Sequence, residues 1–423
     1  MPPRASVLNR LGTPFLALSE QAIFAVVNLL LQVLLARTVT PEQFGAYSVA
    51  NAFFFIVAII HQTCLVEPMF VFGATRFRMV QRQYHAALRW RWTIIFSLGV
   101  IAIGGPLAAI AWMMDSPVAL DLAVFTLVSP IILYLWLLRR IAFALGQIHL
   151  ATIAVAIYAV VLFALAGGAW AAGGLTTLSA ILFTGIAATM GSLALRIGLR
   201  RAERDASRGD GGGDLPAAEM VRAHVHYGRW ALGAEALAWA LINGPILILP
   251  LWLGLASAAQ LRALNLVFML LLQVVSVASM LLLRSHARTG GGAPRQVVLR
   301  DWALLAGGAV LYGLLVCLMG PYLLTAIFGP DYMLDATTLA IAAFGAVMLV
   351  SSQAFVVVLR AQERTRAVFT ANLVALAIFG LLAPFAMPAG VTGMLLAQAT
   401  AWATALLVTA ALSERRPAEV VEG

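Results

Sequence analysis

Charge is scarce in this chain: Asp, Glu, Lys and Arg make up 11% of its 423 residues, and lysine is absent, so all 27 basic side chains are arginine. A soluble domain is about a quarter charged. With 62% hydrophobic residues and a mean hydropathy of +0.95, this chain has too much apolar surface for a soluble core and reads as an all-α polytopic membrane protein. Only two cysteines occur, Cys64 and Cys317, both inside apolar segments, which excludes a disulfide framework and a cysteine metal cluster. No nucleotide-binding loop, metal-ligand spacing or nucleophile constellation is present, so no catalytic residue, metal or cofactor is expected. The first apolar stretch is long, carries Glu20 and has no small-residue cleavage site, so it reads as a retained helix rather than a signal peptide.

What the chain does have is apolar runs of about 20 residues, the length a helix needs to cross hydrocarbon. Twelve are expected, near 15–36, 44–73, 92–113, 120–138, 150–170, 175–195, 230–253, 259–283, 302–324, 334–359, 368–385 and 391–412. The arginines fall in alternate connections. Arg4 and Arg10 precede the first run, and Arg76, Arg78, Arg82, Arg89 and Arg91 follow the second. Arg139 and Arg140 follow the fourth, Arg196 to Arg229 the sixth, and Arg284 to Arg300 the eighth. Arg360, Arg364 and Arg366 follow the tenth, and Arg415 and Arg416 the twelfth. Only Arg37 and Arg262 lie on the opposite side, at the outer mouth. Positively charged short loops stay in the cytoplasm, so both termini are expected there. Trp92, Trp230 and Trp302 open runs on the inner side and Trp112, Trp170 and Trp252 close them on the outer, as interfacial indoles do. The net charge of +9 is then topogenic, with attraction to membrane lipids, and requires no nucleic-acid partner.

The long polar stretch around Arg201 to Asp214 mixes charge with glycine and reads as a cytoplasmic linker over 201–228. It separates a six-helix lobe, 1–200, from a second, 229–423. A shift of 215 residues places Glu20 on Glu235, Phe24 on Trp239 and Asn28 on Asn243, three residues that share one helix face.

Three stretches carry a resemblance. Leu35-Ala36-Arg37-Thr38-Val39-Thr40-Pro41-Glu42-Gln43-Phe44-Gly45-Ala46-Tyr47, Leu65-Val66-Glu67-Pro68-Met69-Phe70-Val71-Phe72-Gly73 and Phe328-Gly329-Pro330-Asp331-Tyr332 are similar to turns and helix starts of the lipid-linked oligosaccharide and polysaccharide flippases. These belong to the multidrug/oligosaccharidyl-lipid/polysaccharide exporter superfamily. The resemblance implies two lobes around a cavity lined by the first, second, seventh and eighth helices, which opens alternately to either side. It also implies an undecaprenyl-pyrophosphate-linked oligosaccharide as substrate and polymerases or glycosyltransferases as possible partners.

Intramembrane acids usually face a cavity or a partner. Glu20, Glu67 and Glu235 each lie about 8 Å inside the inner end of their helices, as an inner acidic cluster for ion coupling or gating, or as structural partners of Arg89, Arg91 or Arg139. Asn28, Gln32, Asn51, His61, Gln62, Asn243, Asn265 and Gln273 are deeper and serve either sugar contacts or helix–helix hydrogen bonds. Arginine suits pyrophosphate, which makes Arg37, Arg262, Arg89 and Arg139 headgroup candidates. Gly244 and Pro245 form a candidate hinge. A drug or cation antiporter of the same superfamily, a polysaccharide polymerase or ligase, and a non-transporting scaffold for envelope synthesis stand as alternatives; the short outer connections weigh against the enzyme.

Overall fold

The computed structural model describes residues 7–206, 217–288, 294–362 and 364–414. The chain divides into two compact units, Met1–Arg229 and Trp230–Gly423. The first contains α1 (Val7–Thr38) and a second helix made of α2 (Pro41–His61), a π turn (Gln62–Val66) and α3 (Glu67–Ala74). Its third helix joins α4 (Gln81–Ala87), another π turn (Leu88–Trp92) and α5 (Thr93–Met113); α6 (Ala119–Ala144), α7 (Ile148–Ala171) and α8 (Thr177–Ala206) follow. The unit boundary falls inside α9 (Ala217–Ile248). The second unit continues with α10 (Pro250–Leu253), α11 (Leu255–Arg288), α12 (Arg295–Phe328), α13 (Ala336–Ala361), α14 (Thr365–Ala386) and α15 (Gly390–Glu414). Among the described residues, eleven stretches are long and apolar enough to span a membrane, and the last, Thr365–Glu414, holds both α14 and α15, so the stretches match the twelve apolar runs of the sequence.

Two of the stretches quoted above are helix boundaries. Thr40 caps α2 through a reciprocal box: its hydroxyl accepts from the Gln43 N–H at 3.3 Å, and the Gln43 side-chain Oε1 accepts from the Thr40 N–H at 3.1 Å, with Pro41 in the first turn. At Phe328–Tyr332, Gly329 adopts φ +115°, which ends α12 and buries Tyr332. Asp335 then caps α13, and hydrogen bonds from Thr338 hold its carboxyl below the usual range.

The fourth helix of each unit is its packing centre. In the first, α6 packs on α2, α5, α7 and α8; in the second, α13 packs on α11, α12, α14 and α15. Lipid tails are as apolar as leucine, so close approach rather than hydrophobic burial holds such helices together, and small residues sit at the contacts. Gly104 of α5 meets Thr126 of α6, Gly185 of α8 meets Val128 of α6, and Gly345 of α13 meets Ala399 of α15.

The 201–228 linker expectation is corrected at both of its ends. Residues 201–206 continue α8 and 217–228 open α9; the centre, 207–216, lies outside the described residues, as do Arg4, Arg415 and Arg416. The opening of α9 is docked on the first unit. Arg76 grips Glu219 at 2.6 Å, and His224 bridges two elements. Pro68 has no N–H, which deprives the Cys64 carbonyl of its usual helical donor, and His224 Nδ1 donates to that oxygen at 2.8 Å. This fixes the neutral tautomer, so Nε2 accepts from the Tyr84 hydroxyl at 2.7 Å. The ring also lies nearly parallel to Trp92, with centroids 6.0 Å apart. Composition suggested a solvated tether, but a histidine matched to a proline-freed carbonyl makes this segment part of the fold.

Burial lowers the His224 pKa below its ordinary 6.5, against a raising contribution from the Cys64 carbonyl bond. A depressed folded-state pKa in a base means its stabilising contribution is complete above pH 6.5 and declines as pH falls. His224→Ala is expected to cost about 1–3 kcal/mol at pH 8, read as a lower unfolding temperature, with the gap to wild type narrowing below pH 6. A gap that widens in acid contradicts the neutral-ring assignment. At the α5–α6 contact, a methyl on Gly104 would lie 2.7 Å from Thr126 Cγ2, whereas Gly105 faces open space. Gly104→Ala should therefore lower stability by about 1–3 kcal/mol and Gly105→Ala should not, as measured by thermal unfolding in one detergent.

Candidate functional site

In the first unit the polar face of α1 meets α6 and α7. Glu20 is completely buried and paired with Arg139, whose Nε donates to Glu20 Oε1. The Arg139 guanidinium lies over the Phe24 ring, 4.2 Å from its centroid, a cation–π contact that compensates part of its lost hydration. Phe24 packs against Tyr158 (5.1 Å) and the edge of Trp136 (5.9 Å). Below it, the Tyr158 hydroxyl donates to Asn28 Oδ1 at 2.9 Å, while Asn28 Nδ2 donates to the Phe24 carbonyl. Glu20, Phe24 and Asn28, four residues apart in sequence, thus act as one ridge. Glu20 Oε2 and Trp136 Nε1 have no hydrogen-bond partner among the described residues.

The second unit repeats the plan with less burial. Glu235 of α9 pairs with Arg360 of α13 at 2.6 Å, again a first-helix acid with a fourth-helix arginine, but both side chains are more than a third exposed. Asn243 Nδ2 donates to the Trp239 carbonyl at 3.2 Å, as Asn28 does to Phe24. The candidate hinge does not interrupt α9, which runs through Pro245. Because Pro245 lacks an N–H, the Leu241 carbonyl loses its helical donor, and Gln398 of α15 supplies one at 2.7 Å. Gly244 lies against Phe379, and Asn372 Nδ2 reaches the Ala234 carbonyl at 3.1 Å.

Glu20 and Glu235 each engage an arginine of their own unit, and Glu67 is the half-buried first residue of α3. Of the partners anticipated, Arg139 is used, while Arg360 was not foreseen. Asn51 and His61 are buried on α2, with His61 edge-on to Phe96 at 5.3 Å, and Gln62 opens the π turn. Gln32 donates to the Asn28 carbonyl at 3.3 Å. Asn265 and Gln273 are half-buried on α11, Arg37 is exposed in the last turn of α1, and Arg89 sits half-buried in the second π turn. Arg262 departs from its expected place at the outer mouth. α11 begins at Leu255, so Arg262 is about 10 Å inside the helix, and it is buried. Among the described residues no group of three or more His, Cys, Asp or Glu is arranged to hold a metal ion. The residues that sequence reasoning passed over, Tyr158, Trp136, Arg360 and Gln398, share one signal: each places a polar group within or at the end of an apolar run.

No family model and no curated protein sequence matches this chain. Solved structures do. An inward-facing multidrug resistance MATE family transporter of the MOP superfamily superposes with TM-score 0.72 at 12% identity, over 94% of this chain and 97% of that one. The lipid II flippase MurJ in an inward closed conformation gives 0.70 at 12% identity, over 95% and 88%. The eukaryotic MATE transporter AtDTX14 gives 0.68 at 15% identity, over 96% and 95%. At these identities the likeness is one of architecture: the chain has the all-helical membrane fold common to MATE-family transporters and a lipid flippase.

Proposed function

We propose that this chain is an inner-membrane flippase that moves a lipid-linked oligosaccharide from the cytoplasmic to the outer leaflet by alternating access, with both termini in the cytoplasm. The observation that carries the reading is the place of Arg262, a buried cation about two turns inside α11 that is engaged within the protein. A guanidinium held at that depth binds phosphate oxygens in a bidentate fork when they are offered. A pyrophosphate-linked headgroup supplies that anion, whereas a cationic drug would be repelled. Drug or cation exchange is the second reading, favoured by the fold shared with MATE transporters.

Within this reading the two acid–arginine pairs brace the first helix of each unit against its fourth. Removing one partner of a buried pair strands a charge, at about 3–5 kcal/mol, while a solvent-exposed pair contributes about 0–1 kcal/mol.

The deciding experiment extracts lipid intermediates from cells lacking the protein. Complete lipid-linked repeat units should accumulate facing the cytoplasm; unpolymerised units facing outward would sink the flippase reading in favour of a polymerase. At equal amounts of folded protein, Arg262→Gln should reduce flux at least tenfold with partial recovery in Arg262→Lys, and Arg37→Gln should change it less than twofold. Glu20→Gln should lower thermal stability far more than Glu235→Gln, and neither should alter the dependence of transport on a proton or sodium gradient. A lost ion dependence in either variant would make that glutamate a coupling acid instead of a brace.

A further inference from the structure

We propose that the groove between α11 and α12 is a binding site for one acyl chain of an anionic phospholipid, with the lipid phosphate held by Arg300. The groove has a volume of about 340 Å³ and lies wholly within the second unit. On α11 it is walled by Leu270, Val274 and Ala278, and on α12 by Leu304, Gly308 and Tyr312. The one hydroxyl in the lining, that of Tyr312, is already donated to the Val267 carbonyl at 2.7 Å. Nothing in the lining asks for a polar ligand, so the occupant is hydrocarbon. Val274 and Leu304 are each 69% exposed, and the groove opens sideways where a membrane helix meets lipid.

Its floor and its mouth lie on one helical row. Arg300, Leu304, Gly308 and Tyr312 are spaced by four residues, so each lies about one turn from the next along a row that winds slowly around α12. Arg300 therefore stands about 6 Å beyond Leu304, at the arginine-rich end, and its guanidinium is 68% exposed. Asp301 accepts from it at 3.0 Å with one oxygen and meets His286 Nε2 at 3.1 Å with the other, which anchors the guanidinium at the groove mouth. Charge and length then select the ligand. A cation at the interface end calls for a phosphate. The row from Arg300 to Tyr312 is about 18 Å long, close to the roughly 15 Å of one hydrocarbon leaflet. A phospholipid acyl chain ends at that depth, whereas the much longer tail of a polyprenyl carrier would overrun it. The site is independent of what the protein transports.

Gly308 has nothing within 4 Å of the position a Cβ would take, so Gly308→Leu fills the groove without a clash; Gly99 on α5 is equally open and supplies the control. The full-length protein, exchanged into detergent doped with equal dioleoyl phosphatidylglycerol and phosphatidylcholine, is read by native mass spectrometry. Wild type should retain one phosphatidylglycerol with at least tenfold preference over phosphatidylcholine. Gly308→Leu should lose that lipid tenfold or more, Gly99→Leu should keep it, and Arg300→Gln should keep a chain but lose the preference. Wild-type retention by Gly308→Leu, an unchanged preference in Arg300→Gln, or displacement of phosphatidylglycerol by an equal concentration of undecaprenyl phosphate would each overturn the assignment.

Discussion

A peptide carbonyl inside hydrocarbon has no water to turn to, and this constraint organises the structure more than any other. Proline breaks it, because the ring removes the N–H that the carbonyl four residues earlier would have used. Two of these breaks are repaired by side chains distant in sequence. Pro68 frees the Cys64 carbonyl, which receives His224, and Pro245 frees the Leu241 carbonyl, which receives Gln398. The first repair holds the opening of α9 within the first unit, and the second holds its later part to α15 within the second unit. The proline is tolerated because of the tie, and the tie has a fixed address because of the proline.

Charge obeys the same logic with larger stakes. The first helix of each unit carries a glutamate, and the arginine-rich end of each fourth helix carries the arginine that answers it. Since α6 and α13 are also the packing centres, the pairs connect the most tightly held helix of a unit to one held by fewer neighbours. Desolvation differs between the two. The first pair is buried and supplemented by the Phe24 ring; the second is partly exposed. Equal chemistry in equivalent places therefore contributes unequal stability.

Much of this architecture is legible in the sequence because membrane helices announce themselves by length and arginine by side. The number of crossings and the equivalence of Glu20 with Glu235 follow from such local signals. What escaped detection depends on long-range partners or on residues of middling hydropathy. Tyr84 and His224 are 140 residues apart, and nothing near either one names the other. Ala217 to His226 reads as solvated because it mixes Glu, Arg and His with small residues, yet its apolar Met220 joins the core of the first unit. The apolar run that predicts α11 starts at 259, because the alanines and serine ahead of it are only weakly apolar. A helix beginning at Leu255 is what carries Arg262 from the mouth into the interior.

The unequal bracing also bears on where movement is cheapest. α1 is held in the first unit by a buried ion pair, a cation–π contact and the Tyr158–Asn28 bond, all among side chains that fix rotamers as well as position. In the second unit, α9 is held by an exposed pair and by amides that address its backbone carbonyls, Asn372 at Ala234 and Gln398 at Leu241 and Ile242. Gln398 already lies within reach of two successive carbonyls, at 2.7 and 3.4 Å, so a small displacement of the helix exchanges one acceptor for the next at little cost. A buried charge pair has no such second partner. The first helix of the second unit can therefore shift within its unit at less cost than the first helix of the first unit can.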